Sequence, residues 1–291
     1  RVVFNFRGGV PLTTDAAVAS ALTTGNEFAV TTAAVPDDFN ETAGVAELFG
    51  DDYAVVSLPQ CGGDLNLGNA TQQYLGGAIT ARHFGAVNVD AALAWVDENF
   101  GLHLEEMVVV GSSAGVAPAS YYAPILKRRY APETVTLVTD STPTFAVSDC
   151  FQRFAYGQVT SRVGGCGLLP THELRDQCLS DETVDVVASF DAIFEQLGPE
   201  ALHLDVSSKS DDFNRENLAV VGVTSLEFST ECRDAFLFET AEAYHAQLGL
   251  FAEVVGANNP QYQAFFLDSR FHQYLQAGSA ATTLGVIQEV A

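Results

Sequence analysis

Ser113 stands at the centre of Gly111-Ser112-Ser113-Ala114-Gly115, a G-x-S-x-G pentapeptide. A serine hydroxyl attacks a carbonyl carbon only when a base removes its proton. The small residues two before and two after it let a strand and a helix pass within contact distance, and the tight turn between them lifts the hydroxyl clear. The flanks read that way: Met107-Val108-Val109-Val110 is an apolar run, and Ala114 to Tyr130 is Ala-rich and helix-like. The backbone N–H of Ala114 then opens a helix, where the dipole favours a developing oxyanion. The alternative is a packed Gly-Ser turn without chemistry.

A nucleophile of this kind needs a base and an acid. In α/β-hydrolases the chain order is serine, acid, histidine, with the histidine beyond the last strand. Of the six histidines, His272 fits: it follows the strand-like Ala264 to Leu267 in a short loop. His245 falls mid-helix among Glu239, Glu242 and Gln247, as a solvated face would have it. The acid is expected past an apolar run at Leu218 to Thr224, which makes Asp234 and Glu227 candidates; Asp140, ending the run Thr134 to Thr139, is a third. Such a carboxylate orients the imidazole and stabilises its protonated form. A second oxyanion donor is expected at Gly8 or Gly9, where a strand runs into paired glycines.

The elements that must position these residues alternate. Strands are expected at Val2 to Phe6, Glu27 to Thr32, Tyr53 to Leu58, Glu106 to Val110, Thr134 to Thr139, Leu218 to Thr224 and Ala264 to Leu267. Helices are expected at Asp15 to Thr23, Val87 to Phe100, Ala114 to Tyr130 and Arg233 to Leu248. Apolar strands alternating with helices predict an α/β fold of the α/β-hydrolase kind: a mostly parallel sheet, helices on both faces, ligands at the strands' carboxyl ends. From about 144 to 217 no strand is evident, only helical patterns at His172 to Leu179 and Thr183 to Leu197, so a lid insertion is expected there within a single domain.

The chain carries a net charge of −24 over 291 residues, and Lys127 and Lys209 are its only lysines. Such a surface repels nucleic-acid phosphates and anionic membranes, and no apolar run reaches the ~18 residues of a membrane span. With 47% hydrophobic residues the chain can fill a core. Cys61, Cys150, Cys166, Cys178 and Cys232 show no zinc spacing, and no HExxH is present, so no metal or other cofactor is expected. The clustering of Cys150, Cys166 and Cys178 suggests a disulfide and an oxidising, secreted or extracytoplasmic location, although no signal peptide is visible. Asn40-Glu41-Thr42 and Asn69-Ala70-Thr71 are glycosylation sequons, relevant only in a eukaryotic secretory pathway.

Over most of its length the chain resembles the pectin acetylesterase family of Notum-like carboxylesterases, and most of all its bacterial members. The resemblance is carried by Phe4-Asn5-Phe6-Arg7-Gly8-Gly9, by Cys61-Gly62-Gly63-Asp64 with Leu67-Gly68-Asn69, and by His83-Phe84-Gly85-Ala86-Val87-Asn88. The pentapeptide around Ser113 is similar to the family's Gly-Cys-Ser-Ala-Gly, with Ser112 in place of cysteine. Arg233-Asp234-Ala235 and Ser269-Arg270-Phe271-His272-Gln273-Tyr274-Leu275 are similar to its late Asp and terminal His segments. The resemblance implies a triad of Ser113, Asp234 and His272. The chain departs from the family after Gly9, where Val10-Pro11-Leu12 replaces a Gly-Ala-Cys-Trp continuation.

The expectation is a serine esterase that removes acetyl or other short acyl groups from an acylated carbohydrate or small ester. Its rival is a binding or structural protein that retains the motif as architecture.

Overall fold

Every residue of β1 (Val2–Phe6) is buried, as a strand covered on both faces requires. The computed structural model describes residues 1–9, 13–15, 17–19, 45, 48–60, 62–142, 160–180, 184–215 and 241–270. After β1 come β2 (Ala54–Leu58), β3 (Ala70–Tyr74), β4 (Ile79–His83), α1 (Gly85–Phe100), β5 (Glu106–Ser112) and α2 (Val116–Tyr130). They are followed by β6 (Thr134–Asp140), α3 (His172–Leu179), α4 (Val186–Leu197), β7 (Leu202–Ser208), α5 (Ala241–Asn258) and β8 (Tyr262–Leu267). Six strands form one sheet in the order β2-β1-β5-β6-β7-β8, and every neighbouring pair is parallel. The fold is α/β, a mostly parallel sheet with helices packed against it.

Side chains alternate between two cores. Phe4, Phe6, Val109 and Leu137 face α1, α2 and α4, while Val3, Val108, Val110 and Val138 face the other way, onto Val45, Leu48 and Phe49. On the first face Phe4 stacks on Tyr130 at 5.6 Å and Phe6 on Tyr122 at 5.3 Å, which lays α2 across β1. Each such ring contributes roughly 1.5–3 kcal/mol by burial. The tyrosines also donate hydrogen bonds, from Tyr130 to the Leu93 carbonyl and from Tyr122 to the Asn66 carbonyl, both at 3.2 Å.

The expected strands at Val2, Tyr53, Glu106, Thr134 and Ala264 are present within a residue or two at each end, as are the helices at Val87, Ala114 and His172. Those expected at Glu27 to Thr32 and Leu218 to Thr224 lie outside the described residues. Three features differ from expectation. The helix expected over Arg233 to Leu248 runs on to Asn258 as α5, described from Ala241. An antiparallel hairpin, β3 with β4, stands between β2 and α1, where the Gln- and Thr-rich sequence showed no apolar alternation. The span 144–217, read as free of strands, contains β7, paired on both sides within the sheet.

Residues 184–208 of that span are thus sheet and core helix. Within residues 160–180 the contacts run to β3 and the glycine-rich loop before it: the Asn69 N–H donates to the Val163 carbonyl at 2.7 Å, and Gln72 Nε2 donates to that of Arg162 at 2.6 Å. Cys166 and Cys178 form a disulfide across this segment.

Candidate active site

Because all six strands run the same way, the segments leaving β1, β5, β6, β7 and β8 share one edge. At β5 the strand ends in Ser112 and the chain turns through a 3-10 turn, Ser113–Gly115, directly into α2. Ser113 has φ 53°, the left-handed region that costs an L-residue roughly 1–2 kcal/mol. Two glycines make the turn possible. A Cβ on Gly111 would lie 2.5 Å from the Gly115 carbonyl oxygen and 2.6 Å from Ala119 Cβ; one on Gly115 would lie 2.2 Å from the Phe6 carbonyl oxygen. The sequence-predicted strand–serine–helix turn is therefore present, with Ser113 8% exposed at its apex.

Gly115 also ties the turn to the exit of β1. Its near neighbours are Phe6 and Arg7, the residues that lead into Gly8 and Gly9. The Arg7 N–H continues the β1–β2 ladder by donating to the Leu58 carbonyl at 3.2 Å. Ala114 and the Gly8-Gly9 pair are thus brought to adjacent strand exits.

The loop beyond β2 is fixed by buried polar groups. Asp64 accepts from the N–H of Gly85 at 2.6 Å and of Asn66 at 3.1 Å, capping the start of α1. Burial pushes its carboxyl up from the usual range, opposed by those N–H groups. Cβ atoms on Gly62, Gly68 or Gly85 would all lie within 2.9 Å of the Asp64 carboxylate. His83 spans from Tyr74 OH (2.8 Å) to the Gly62 carbonyl (2.9 Å).

On the other flank the exits of β6, β7 and β8 are knitted together. The Ser141 N–H donates to the Val206 carbonyl at 2.7 Å, the Lys209 N–H to that of Leu267 at 2.9 Å, and the Ser210 N–H to that of Ser269 at 3.3 Å. The hydroxyls of Ser208 and Ser269 meet at 3.0 Å, and Arg270 pairs with Asp212 at 3.8 Å.

Asp140, one of the expected acids, is buried at the end of β6, beside Ser112 in register, and accepts from the Ser141 hydroxyl at 3.1 Å. Asp234, Glu227 and His272 lie outside the described residues. A further carboxylate, Asp211, stands where β7 leaves the sheet. It is fully buried and accepts from the backbone N–H of Asn214 at 2.8 Å and its Nδ2 at 2.9 Å, so it caps the helical turn at 212–215.

Sequence reasoning missed Asp211 because it missed β7. The alternation there is inverted: His203 and Asp205 are each 1% exposed, whereas Leu202 and Leu204 are only half-buried. Asp205 accepts from the hydroxyls of Thr142 (2.7 Å), Tyr262 (2.8 Å) and Thr139 (3.1 Å), and Thr139 Oγ1 lies 2.9 Å from His203 Nε2. Burial raises the Asp205 carboxyl, against those three donors, and lowers His203 to about 3. The usable signal was period-2 alternation of Leu202-His203-Leu204-Asp205-Val206 running into Ser-Ser and then acids.

Among the described residues no group of three or more His, Cys, Asp or Glu could hold a metal ion, and no helix is long and apolar enough to cross a membrane.

No family model and no curated protein matches the chain. Solved structures that resemble it include the esterase Pf2001 of Pyrococcus furiosus. One crystal form gives a TM-score of 0.45 at 12% identity over 99% of this chain and 79% of that one. A second gives 0.44 at 11% identity over 99% and 81%.

Proposed function

We propose that the chain is a serine carboxylesterase acting on short acyl esters. The observation that carries this reading is the φ of 53° at Ser113, held in a strand-to-helix turn that two glycines alone permit. Strain of this kind persists where the surroundings over-determine it, and it gathers at functional sites.

In the proposed reaction Ser113 Oγ attacks the ester carbonyl carbon while His272 takes its proton. The carbonyl electron pair moves to the oxygen, which receives the N–H of Ala114 and that of Gly8 or Gly9. Each such donor is worth roughly 3–4 kcal/mol. Collapse of the intermediate breaks the C–O bond, and the alcohol leaves with the proton from His272. Water, deprotonated by the same imidazole, then attacks the acyl-serine and releases the carboxylic acid and Ser113.

For the acid that orients His272, Asp211 has the stronger support. It lies at the exit of β7, whose residues Ser208 and Ser210 are hydrogen-bonded to Ser269, three residues before His272. Asp234, implied by the resemblance to pectin acetylesterases, is the competing assignment.

For the substrate we favour acetyl or similar short acyl groups on a neutral glycan or small ester. A chain at −24 repels a polyuronate, screened only beyond ~8 Å at physiological ionic strength. A clear preference for acetylated pectin over acetylated xylan at low salt would overturn that choice. The Cys166–Cys178 disulfide supports an oxidising, extracytoplasmic location.

The test of the reaction is Ser113→Ala with p-nitrophenyl acetate, together with labelling of the wild-type protein by a fluorophosphonate. Loss of turnover by orders of magnitude, with Ser113 labelled in the wild type, is expected. Wild-type turnover in Ser113→Ala would move the nucleophile to another residue, and a wild-type protein that neither labels nor turns over the ester would favour a non-catalytic protein.

A further inference from the structure

Gln60 follows the end of β2 by two residues. Both polar atoms of its carboxamide, Oε1 and Nε2, are buried, and neither has a hydrogen-bond partner among the described residues. A buried amide without partners is a standing cost to a fold, and natural structures seldom leave both ends of one unmet. The amide lies across Gly9: a Cβ at that position would be 2.8 Å from Gln60 Oε1 and 3.2 Å from Cδ. Gly9 belongs to the β1 exit that supplies an oxyanion donor in the proposed reaction, and Gly115 holds the nucleophile turn against the same exit. The Gln60 amide therefore packs on the same β1 exit that the proposed reaction uses. At the same end of the sheet, Asn5 Oδ1 and Nδ2 and Ser112 Oγ are also buried without partners among the described residues.

We propose that the Gln60 carboxamide receives a hydroxyl group of the substrate's alcohol portion. This makes Gln60 a specificity-determining residue for acyl esters of neutral, polyhydroxylated alcohols such as sugars. The argument is one of matching. A carboxamide presents an acceptor and two donors side by side, and a hydroxyl both donates and accepts, so it satisfies Oε1 or Nε2 without bringing charge into the site. A carboxylate would answer Nε2 and leave Oε1 facing a like charge; an ammonium would do the reverse. A short alkyl group answers neither atom. A site built to hydrogen-bond a hydroxyl rejects analogues that lack it far more strongly than an apolar pocket rejects one extra methylene.

This inference rests on the esterase reading, and its test separates the two. Wild-type protein, Gln60→Leu and Gln60→Glu would be assayed on an acetylated xylo-oligosaccharide and on p-nitrophenyl acetate, with fluorophosphonate labelling of the wild type in parallel. The expected result in Gln60→Leu is a fall of about tenfold or more in the ratio of kcat/KM for the oligosaccharide to kcat/KM for p-nitrophenyl acetate. The loss should lie mainly in KM. The Leu variant should also melt no lower than wild type, because it removes an unpartnered buried amide. Should it fail to fold, Gln60→Glu reads the same ratio, with a fall expected because both donors are lost. A ratio unchanged within about twofold, with Ser113 labelled in the wild type, would overturn the role of Gln60 alone. A wild-type protein that neither labels nor turns over either ester would remove the esterase reading and this inference with it.

Discussion

The Cα of Gly115 faces the carbonyl oxygen of Phe6 so closely that a Cβ would stand 2.2 Å from it. The Ser113 turn and the β1 exit are thus one packed unit, joined backbone to backbone. Gly115→Ala must push β1 away from the turn. It should cost about 1–3 kcal/mol of stability and abolish most ester turnover. Gly249 in α5 is the control, since nothing lies within 4 Å of its Cβ position. Gly249→Ala should instead gain up to about 1 kcal/mol from helix propensity. Thermal unfolding of the two variants reads both signs.

The identity of the acid can be read from a pair of conservative variants. Asp211→Asn keeps the N-cap of the turn at 212–215, because asparagine caps about as well as aspartate. The fold should hold while kcat drops by roughly 10⁴, the scale seen when a triad acid becomes an amide. Asp234→Asn should leave kcat within about threefold of wild type if it stands outside the triad. The reverse pattern would return the role to Asp234.

Fold and site were legible in different measure. Met107 to Val110, Gly111 and Gly115 announced the strand–serine–helix turn, because an apolar strand, small residues and a helix leave the backbone few other choices. β7 was hidden because its buried face carries His203 and Asp205. Their polarity is answered by Thr139, Thr142 and Tyr262, partners that come from β6, the segment after it and β8 and cannot be seen in a local window. The strand exit that carries Asp211 was hidden with it. The β3–β4 hairpin was unreadable for the opposite reason: Thr71, Gln73, Thr80 and Arg82 point outward, and the strand signal rests on backbone pairing.

His203 makes stability depend on acidity. Burial lowers its pKa from 6.5 to about 3, so between those values the unfolded chain binds a proton that the folded chain refuses. Stability therefore rises with pH across that window and is lost on acidification, by about 2 kcal/mol between pH 7 and pH 5. Asp205 acts in the opposite sense, since a raised carboxyl loses stability as pH rises. His203→Gln isolates the imidazole: its unfolding midpoint in urea should fall less than that of wild type over the same pH interval.

The Cys166–Cys178 bridge closes a loop with a sequence separation of 12. Loop-closure entropy puts its contribution at about 3 kcal/mol. The double variant Cys166→Ala, Cys178→Ala should lower the unfolding midpoint accordingly. Equal midpoints would mean that the contacts of residues 160–180 with Asn69 and Gln72 hold the segment unaided.

The left-handed backbone at position 113 sets the proposed nucleophile against the stability of its own fold. A glycine there would adopt the same φ without strain, so Ser113→Gly should be inert yet melt higher than the parent, by an amount equivalent to about 1 kcal/mol. Selection for thermal endurance alone would then erode the proposed nucleophile, so a serine held at this backbone is what a molecule kept for turnover at the expense of robustness would carry.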